Sequence, residues 1–210
     1  MLRKRARAER EILDATRDVL LRDGADAITI ERISSELGMS RGALYYYFDS
    51  KDALIDRLLT ELVDEMVEAM AAAARDAAGI EAVTASMTAF VDHFRDSLDT
   101  FRALFVTSQL ASYRQPETQE RINASMRGLF LEVATKLEEA QRAGEAHSDV
   151  NPRRFAVASF ATMFGVVSMM SLFEMSDTKL LHEWDDLVAE LTRVFRRGAV
   201  SKLADPDGSG

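Results

Sequence analysis

The 210-residue chain has no cysteine, three histidines, three prolines and ten glycines. Without cysteine there is no disulfide, no thiolate metal site and no thiol nucleophile. Three histidines are a thin supply for zinc or iron, and no metal or other cofactor is expected. Sparse proline and glycine leave long unbroken segments, and no sustained two-residue alternation marks a strand. The opening MLRKRARAEREI is basic, but Glu9 and Glu11 stand where a signal peptide needs an apolar run. The longest uncharged stretch, Phe155 to Phe173, is rich in Ala and Ser and flanked by Arg153, Arg154 and Glu174. A buried helix is expected there rather than a membrane span, and the expected location is cytoplasmic.

The net charge of -9 argues against a nucleic-acid partner until its distribution is considered. Met1 to Thr60 hold eleven basic and eleven acidic residues, so the acidity lies in the remainder. The first ten residues carry Arg3, Lys4, Arg5, Arg7 and Arg10 against Glu9 alone. Local field rather than total charge is what DNA meets.

What is present reads as all-α. Ile12, Leu13, Ala15, Thr16, Val19 and Leu20 give a first helix over about 5–22 its apolar stripe, and Gly24 stops it. Thr29 caps a second helix with Ile30, Ile33 and Leu37 inward, closed by Gly38. Ser40 caps a short third helix through Phe48, and Ser50 a fourth from Lys51 to about Ala77. Further helices are predicted over 81–99, 101–113, 117–143, 152–175 and 179–200, with Pro116 and Pro152 at starts. The spacing predicts a three-helix N-terminal domain over 1–50, a helical bundle over 51–203 and a disordered tail over 204–210.

Two short helices around a glycine turn form a helix-turn-helix pattern. Three consecutive tyrosines cannot all be buried, because helix neighbours point about 100° apart. Leu44 and Phe48 are expected inward and Tyr45 at the core edge. Arg41, Gly42, Ala43 and Tyr46 are expected outward, with Tyr47 to the side. Arg41 suits guanine, Ala43 a thymine methyl, the hydroxyls of Tyr46 and Tyr47 phosphates or bases, and the start of the fourth helix at Lys51 a phosphate.

Ile12 to Leu54 resembles the DNA-binding domain of the TetR/AcrR family of transcriptional regulators. Ala15, Gly24, Thr29, Ile33, Gly38, Ser40, Leu44-Tyr45, Tyr47-Phe48 and Ser50 to Leu54 carry the likeness. The resemblance implies DNA contacts by Thr29, Ser40, Arg41, Gly42, Tyr45, Tyr46, Tyr47 and Lys51. It also implies a dimerising, effector-binding bundle, and hence a repressor that grips a palindromic operator as a homodimer and is released by a small apolar effector. A helical ligand carrier or scaffold without DNA binding is the alternative.

Ten of eleven phenylalanines and eight of ten methionines follow Thr60. Met66, Met70, Met87, Phe90, Phe94, Phe101, Phe105, Met126, Phe130, Met163 and Phe164 are candidates for the wall of an apolar cavity, or simply core. Candidate polar hooks are Asp92, His93, Gln109, Tyr113, Asn123 and Ser168. An apolar cavity suits lipophilic drugs, bile-acid-like molecules, fatty acids or an acyl-CoA, and for the last of these Arg102, Arg114 and Arg121 are available cations. The last two helices suggest a four-helix dimer interface built on Phe155, Ser159, Thr162, Val166, Trp184, Leu187, Leu191 and Phe195, with Leu180 and Leu181 beside them. His93, His147 and His182 fall into no catalytic spacing, so no enzyme is expected.

Overall fold

The structure is a computed structural model in which residues 2–106, 115–176 and 183–200 are described. Helix α1 (Leu2–Asp23) buries Ile12, Leu13, Thr16, Val19 and Leu20 along one face, the three-and-four spacing of an amphipathic helix. Gly24 ends it at φ +82°, a left-handed conformation that a residue without Cβ adopts freely. Helix α2 (Ile30–Glu36) starts at Thr29, whose Oγ1 accepts the Arg32 N–H at 3.1 Å. Gly38, at φ +61°, turns the chain after it. Helix α3 (Arg41–Tyr45) starts at Ser40, whose Oγ accepts the Ala43 N–H at 3.1 Å. Ser50 repeats the device for α4 (Lys51–Arg75), accepting the Ala53 N–H at 3.0 Å. Each hydroxyl satisfies an N–H that the first helical turn leaves without a partner.

Helix α3 is shorter than the sequence suggests. It stops at Tyr45 instead of Phe48, because the Tyr47 and Phe48 N–H groups both turn to the Leu44 carbonyl, at 3.0 and 3.1 Å. Tyr46 and Tyr47 therefore sit in a tight turn ahead of Asp49.

The remaining helices are α5 (Gly79–Arg95), α6 (Leu98–Phe101), α7 (Pro116–Arg142), α8 (Pro152–Met175) and α9 (Trp184–Ala199). A wider π-type turn, Arg102–Val106, continues α6; the rest of the helix expected to reach residue 113 lies outside the described residues. So do Leu180, Leu181 and His182 ahead of α9, and the tail 204–210. Among the described residues there is no strand, only an antiparallel backbone bridge between Ala146 and Val200. The fold is all-α.

The chain divides into two compact units, Met1–Glu65 with Asp99–Asn123, and Met66–Leu98 with Ala124–Gly210. A cut at 50/51 does not coincide with this division, since residues 51–65 and 99–123 join the N-terminal helices. In the first unit Ile28, Ile33 and Leu44 are buried, as are Leu54, Ile55, Leu58, Leu59 and Leu62 of α4. In the second, α5 packs on α8 and α9, with Phe90, Phe94, Val91, Met163 and Val167 fully buried.

Candidate nucleic-acid interface

The caps that fix α2 and α3 also decide what these helices present. Thr29 and Ser40 spend oxygen lone pairs on backbone N–H groups, which leaves each hydroxyl proton to donate outward. Leu44 and Phe48 face inward. Arg41, Gly42, Tyr45 and Tyr46 are exposed, and the i, i+1, i+4, i+5 spacing makes them one helical face. Tyr45 is therefore not at the core edge as expected: 49% of it is exposed, against 68% of Tyr46. Ala43, expected outward, is half-buried, as are Tyr47 and Lys51.

Most cations here already hold a carboxylate. Arg41 Nη1 lies 2.8 Å from Glu31 Oε1 of α2. Arg32 binds Asp23 at 3.1 Å and Glu36 at 3.0 Å, and Arg22 binds the same two acids. Arg5 sits 5.5 Å from the centroid of the Tyr46 ring, within cation–π range, and its Nε donates to Glu9 at 2.7 Å. The bond to Glu9 raises the Arg5 guanidinium above its ordinary pKa. Tyr46 in turn meets the Tyr47 ring edge-on at 5.1 Å. Arg3, Lys4 and Arg10 are exposed on the same helix as Arg5.

Behind this surface, in the same unit, an open groove of about 670 Å³ runs between Tyr47, Ser50 and Arg57 on one side and Gln115, Thr118 and Arg121 on the other. At its floor Asp56, 9% exposed, accepts the Gln115 N–H at 3.0 Å and the Thr118 hydroxyl at 2.7 Å. It thereby caps α7 from α4. Sequence reasoning missed it, since its partners lie some sixty residues away.

The model of the tetR family of bacterial regulatory proteins matches residues 12–58. These residues form a tetR-family helix-turn-helix domain. The HTH-type transcriptional repressor Rv1474c of Mycobacterium tuberculosis is 43% identical over 49 residues, 23% of this chain and 26% of that protein. The match thus spans about a quarter of that relative's length. A tetR-family bacterial regulatory protein from Rhodococcus RHA1 superposes with TM-score 0.67 at 21% identity, over 91% of this chain and 96% of that one. The transcriptional regulator FadR of Bacillus subtilis, solved with stearoyl-CoA, gives TM-score 0.67 at 20% identity, over 90% and 97%. These two likenesses are of fold.

Outside the tetR-family domain, the cavity candidates separate. Met70, Met87, Phe90, Phe130 and Met163 surround one spot in the second unit, with Ser86, Ala156, Ser159 and Phe160. Met66 and Phe94 are buried and Met126 and Phe164 half-buried in that unit, without lining the spot. Phe105 belongs to the first unit, where its ring lies 5.2 Å from Phe101. The spot holds only about 10 Å³, room for about one water and far below the ~300 Å³ of a small ligand site. Phe160, missed from sequence, joins the cluster: its ring lies 5.0 Å from Phe90 and 5.4 Å from Phe130. Its place three residues before Met163 and four before Phe164 was the available signal.

The polar candidates are engaged elsewhere. Asp92 binds Arg95 at 3.0 Å, Asn123 accepts from Gln119 at 2.9 Å, and Ser168 donates to the Phe164 carbonyl at 2.7 Å. His93 meets the Phe94 ring edge-on. Arg102 is bound to Asp99, and Arg121 lies 3.5 Å from Asp64. Gln109, Tyr113 and Arg114 are outside the described residues.

The dimer candidates need correction at two positions. Ser159 and Val166 are 4% and 7% exposed and face the interior of the second unit. Phe155 packs on Phe195 at 5.2 Å and joins a core of Leu137, Ala140, Ala146 and Ala199. Trp184 meets Phe173 at 6.1 Å, and Thr162, Leu187 and Leu191 are half-buried. The face of α8 left open is on the opposite side of the helix. It carries Val157, Met169, Leu172 and Met175, all large and exposed, with exposed Ala158 and Ala161 between them. By length and composition α8 could cross a bilayer; an inner face in the core and an open apolar outer face account for the same composition.

Proposed function

We propose that the protein is a transcriptional repressor that binds a roughly palindromic DNA operator as a homodimer and lets go when a small apolar effector enters the second unit. The observation that carries this reading is the exposed face Arg41, Gly42, Tyr45 and Tyr46 on a helix held by two hydroxyl caps, within a tetR-family domain. Thr29, Ser40, Arg41, Gly42, Ala43, Tyr45, Tyr46, Tyr47 and Lys51 are the contact set. The exposed residues serve bases, and the caps, Tyr47 and Lys51 serve phosphates. Residues 1–50 are the reader, and 51–203 carry effector binding and dimerisation, in the cytoplasm.

The open face of α8 supports self-association. A stripe of Val, Ala, Met and Leu in water favours burial, and small residues let two helices approach closely. A two-fold axis then presents two copies of α3 to half-sites at least one turn of DNA, ~34 Å, apart.

The closed apolar cluster supports a ligand-free state. Methionine and phenylalanine walls adapt to varied lipophilic shapes, and the fold neighbour FadR was solved with stearoyl-CoA. An effector must bind an opened state more tightly than this closed one, and the opened state must hold DNA less well. Helix α4 supplies residues to both units and is the segment through which the change passes.

The test is selection of binding sites from random DNA, followed by electrophoretic retardation across a salt series with and without fatty acids or acyl-CoAs. A selected palindrome bound by a dimer in a salt-sensitive way is expected. Failure to select any sequence refutes the reading and favours a helical ligand carrier.

A further inference from the structure

Glu31 is an unusual residue to present beside a DNA-reading helix. It is exposed in the first turn of α2, where a bare carboxylate repels the approaching phosphates. It is not bare: its Oε1 lies 2.8 Å from Nη1 of Arg41, the first residue of α3, with the two side chains 55% and 66% exposed. Ion pairs this exposed add little to fold stability, so a packing role does not explain it. The arginine of α2 itself, Arg32, is bound to Asp23 and Glu36 and does not compete for Glu31.

We infer that Glu31 is a specificity-determining residue that positions Arg41 for guanine. The inference rests on the DNA-binding reading above. The geometry assigns one guanidinium nitrogen to Glu31 and, among the described residues, gives the edge formed by Nε and Nη2 no other partner. That edge is a planar fork, and a fork held in one orientation pairs with guanine O6 and N7 at two points. An unheld arginine on the same surface also reaches phosphates, which carry no sequence information. Glu31 therefore trades general affinity for base choice. By holding Arg41, it keeps that charge from being spent on the backbone.

The experiment compares wild type, Glu31→Gln, Arg41→Ala and the double variant on one selected operator, its single-base variants and random duplex DNA. The position whose preference Arg41→Ala erases is the position Arg41 reads. There, Glu31→Gln is expected to lower guanine discrimination by about tenfold. It should also tighten binding to random DNA and steepen the log–log salt slope by up to ~0.9 per protomer as Arg41 reaches a phosphate. In the Arg41→Ala background, Glu31→Gln should change discrimination no further. Thermal melting of Glu31→Gln should match wild type, which separates base reading from a structural role. Unchanged discrimination and slope in Glu31→Gln, on an operator the wild type still selects, overturns the inference and leaves the DNA-binding reading standing. Absence of any selected operator overturns both.

Discussion

Asp56→Ala tests how the first unit is held together. Asp56 is nearly buried and accepts two hydrogen bonds at the start of α7: the Gln115 N–H at 3.0 Å and the Thr118 hydroxyl at 2.7 Å. Pro116, the first residue of that helix, has no N–H of its own, and Asp56 meets the Gln115 N–H just ahead of it and a side-chain hydroxyl of its first turn. Losing a helix cap costs about 0.5–2 kcal/mol. The hydroxyl bond to a charged acceptor adds about 1.5 kcal/mol. Releasing a carboxylate from a buried site returns part of this, so a net loss of about 2–3 kcal/mol is expected. For a chain of this size that lowers Tm by roughly 5–10 °C. Asp56→Asn keeps an oxygen for the Gln115 N–H and offers its NH₂ to the Thr118 hydroxyl, so about 1 kcal/mol is lost. Thr118→Val should cost a similar amount, and the double variant should cost less than the sum, because both remove the same bond. Urea titration monitored by circular dichroism measures all four. Asp56→Ala within about 0.5 kcal/mol of wild type would refute the cap, as would additivity with Thr118→Val.

The other expectations follow from the same geometry. Arg41→Ala should relax preference at one base pair per half-site by about 1–3 kcal/mol, read by retardation on operator variants; a uniform loss across all sequences would place Arg41 on phosphate. Leu172→Glu puts a charge into the open apolar face of α8 and should shift sedimentation toward monomer while leaving the melting of a dilute sample intact. Phe160→Ala removes a half-buried ring from the closed cluster of the second unit and should destabilise the chain by about 2–3 kcal/mol, less than the ~3–5 kcal/mol of a fully buried ring. It should also speed uptake of a lipophilic probe; unchanged uptake would place the effector elsewhere.

Much of the N-terminal domain was legible because its signals are local. Thr29, Ser40 and Ser50 are caps that act within three residues, and Gly24 and Gly38 are turns that act on themselves. The end of α3 was harder. Nothing in a run of aromatics says which carbonyl Tyr47 and Phe48 will share, so Tyr45 was placed too deep and Ala43 too far out. Helix α8 was legible as a helix, from Pro152 to Met175, but not by face. It is apolar nearly all round, so periodicity does not separate inside from outside. Ser159 and Val166 were set on the wrong side for that reason. Asp56 gave no signal, because one acid in an amphipathic helix looks like a solvated residue until its distant partners are known.

The charge pattern of the domain makes sense only in pairs. Met1 to Thr60 are electrically neutral, and Arg5, Arg7, Arg22, Arg32 and Arg41 each hold a carboxylate. A paired arginine gains less from random DNA than a free one, since non-specific affinity comes from protein cations that displace counterions from phosphates. Binding must then exchange one acceptor for another, carboxylate for phosphate or base edge, and the exchange is favourable only where the incoming acceptors match in position. On the proposed reading, Thr29 and Ser40 add neutral hydroxyl donors that reward correct seating without attracting DNA from a distance. On that reading, the pairing of these arginines lowers the background of wrong sites more than it lowers the affinity of the right one.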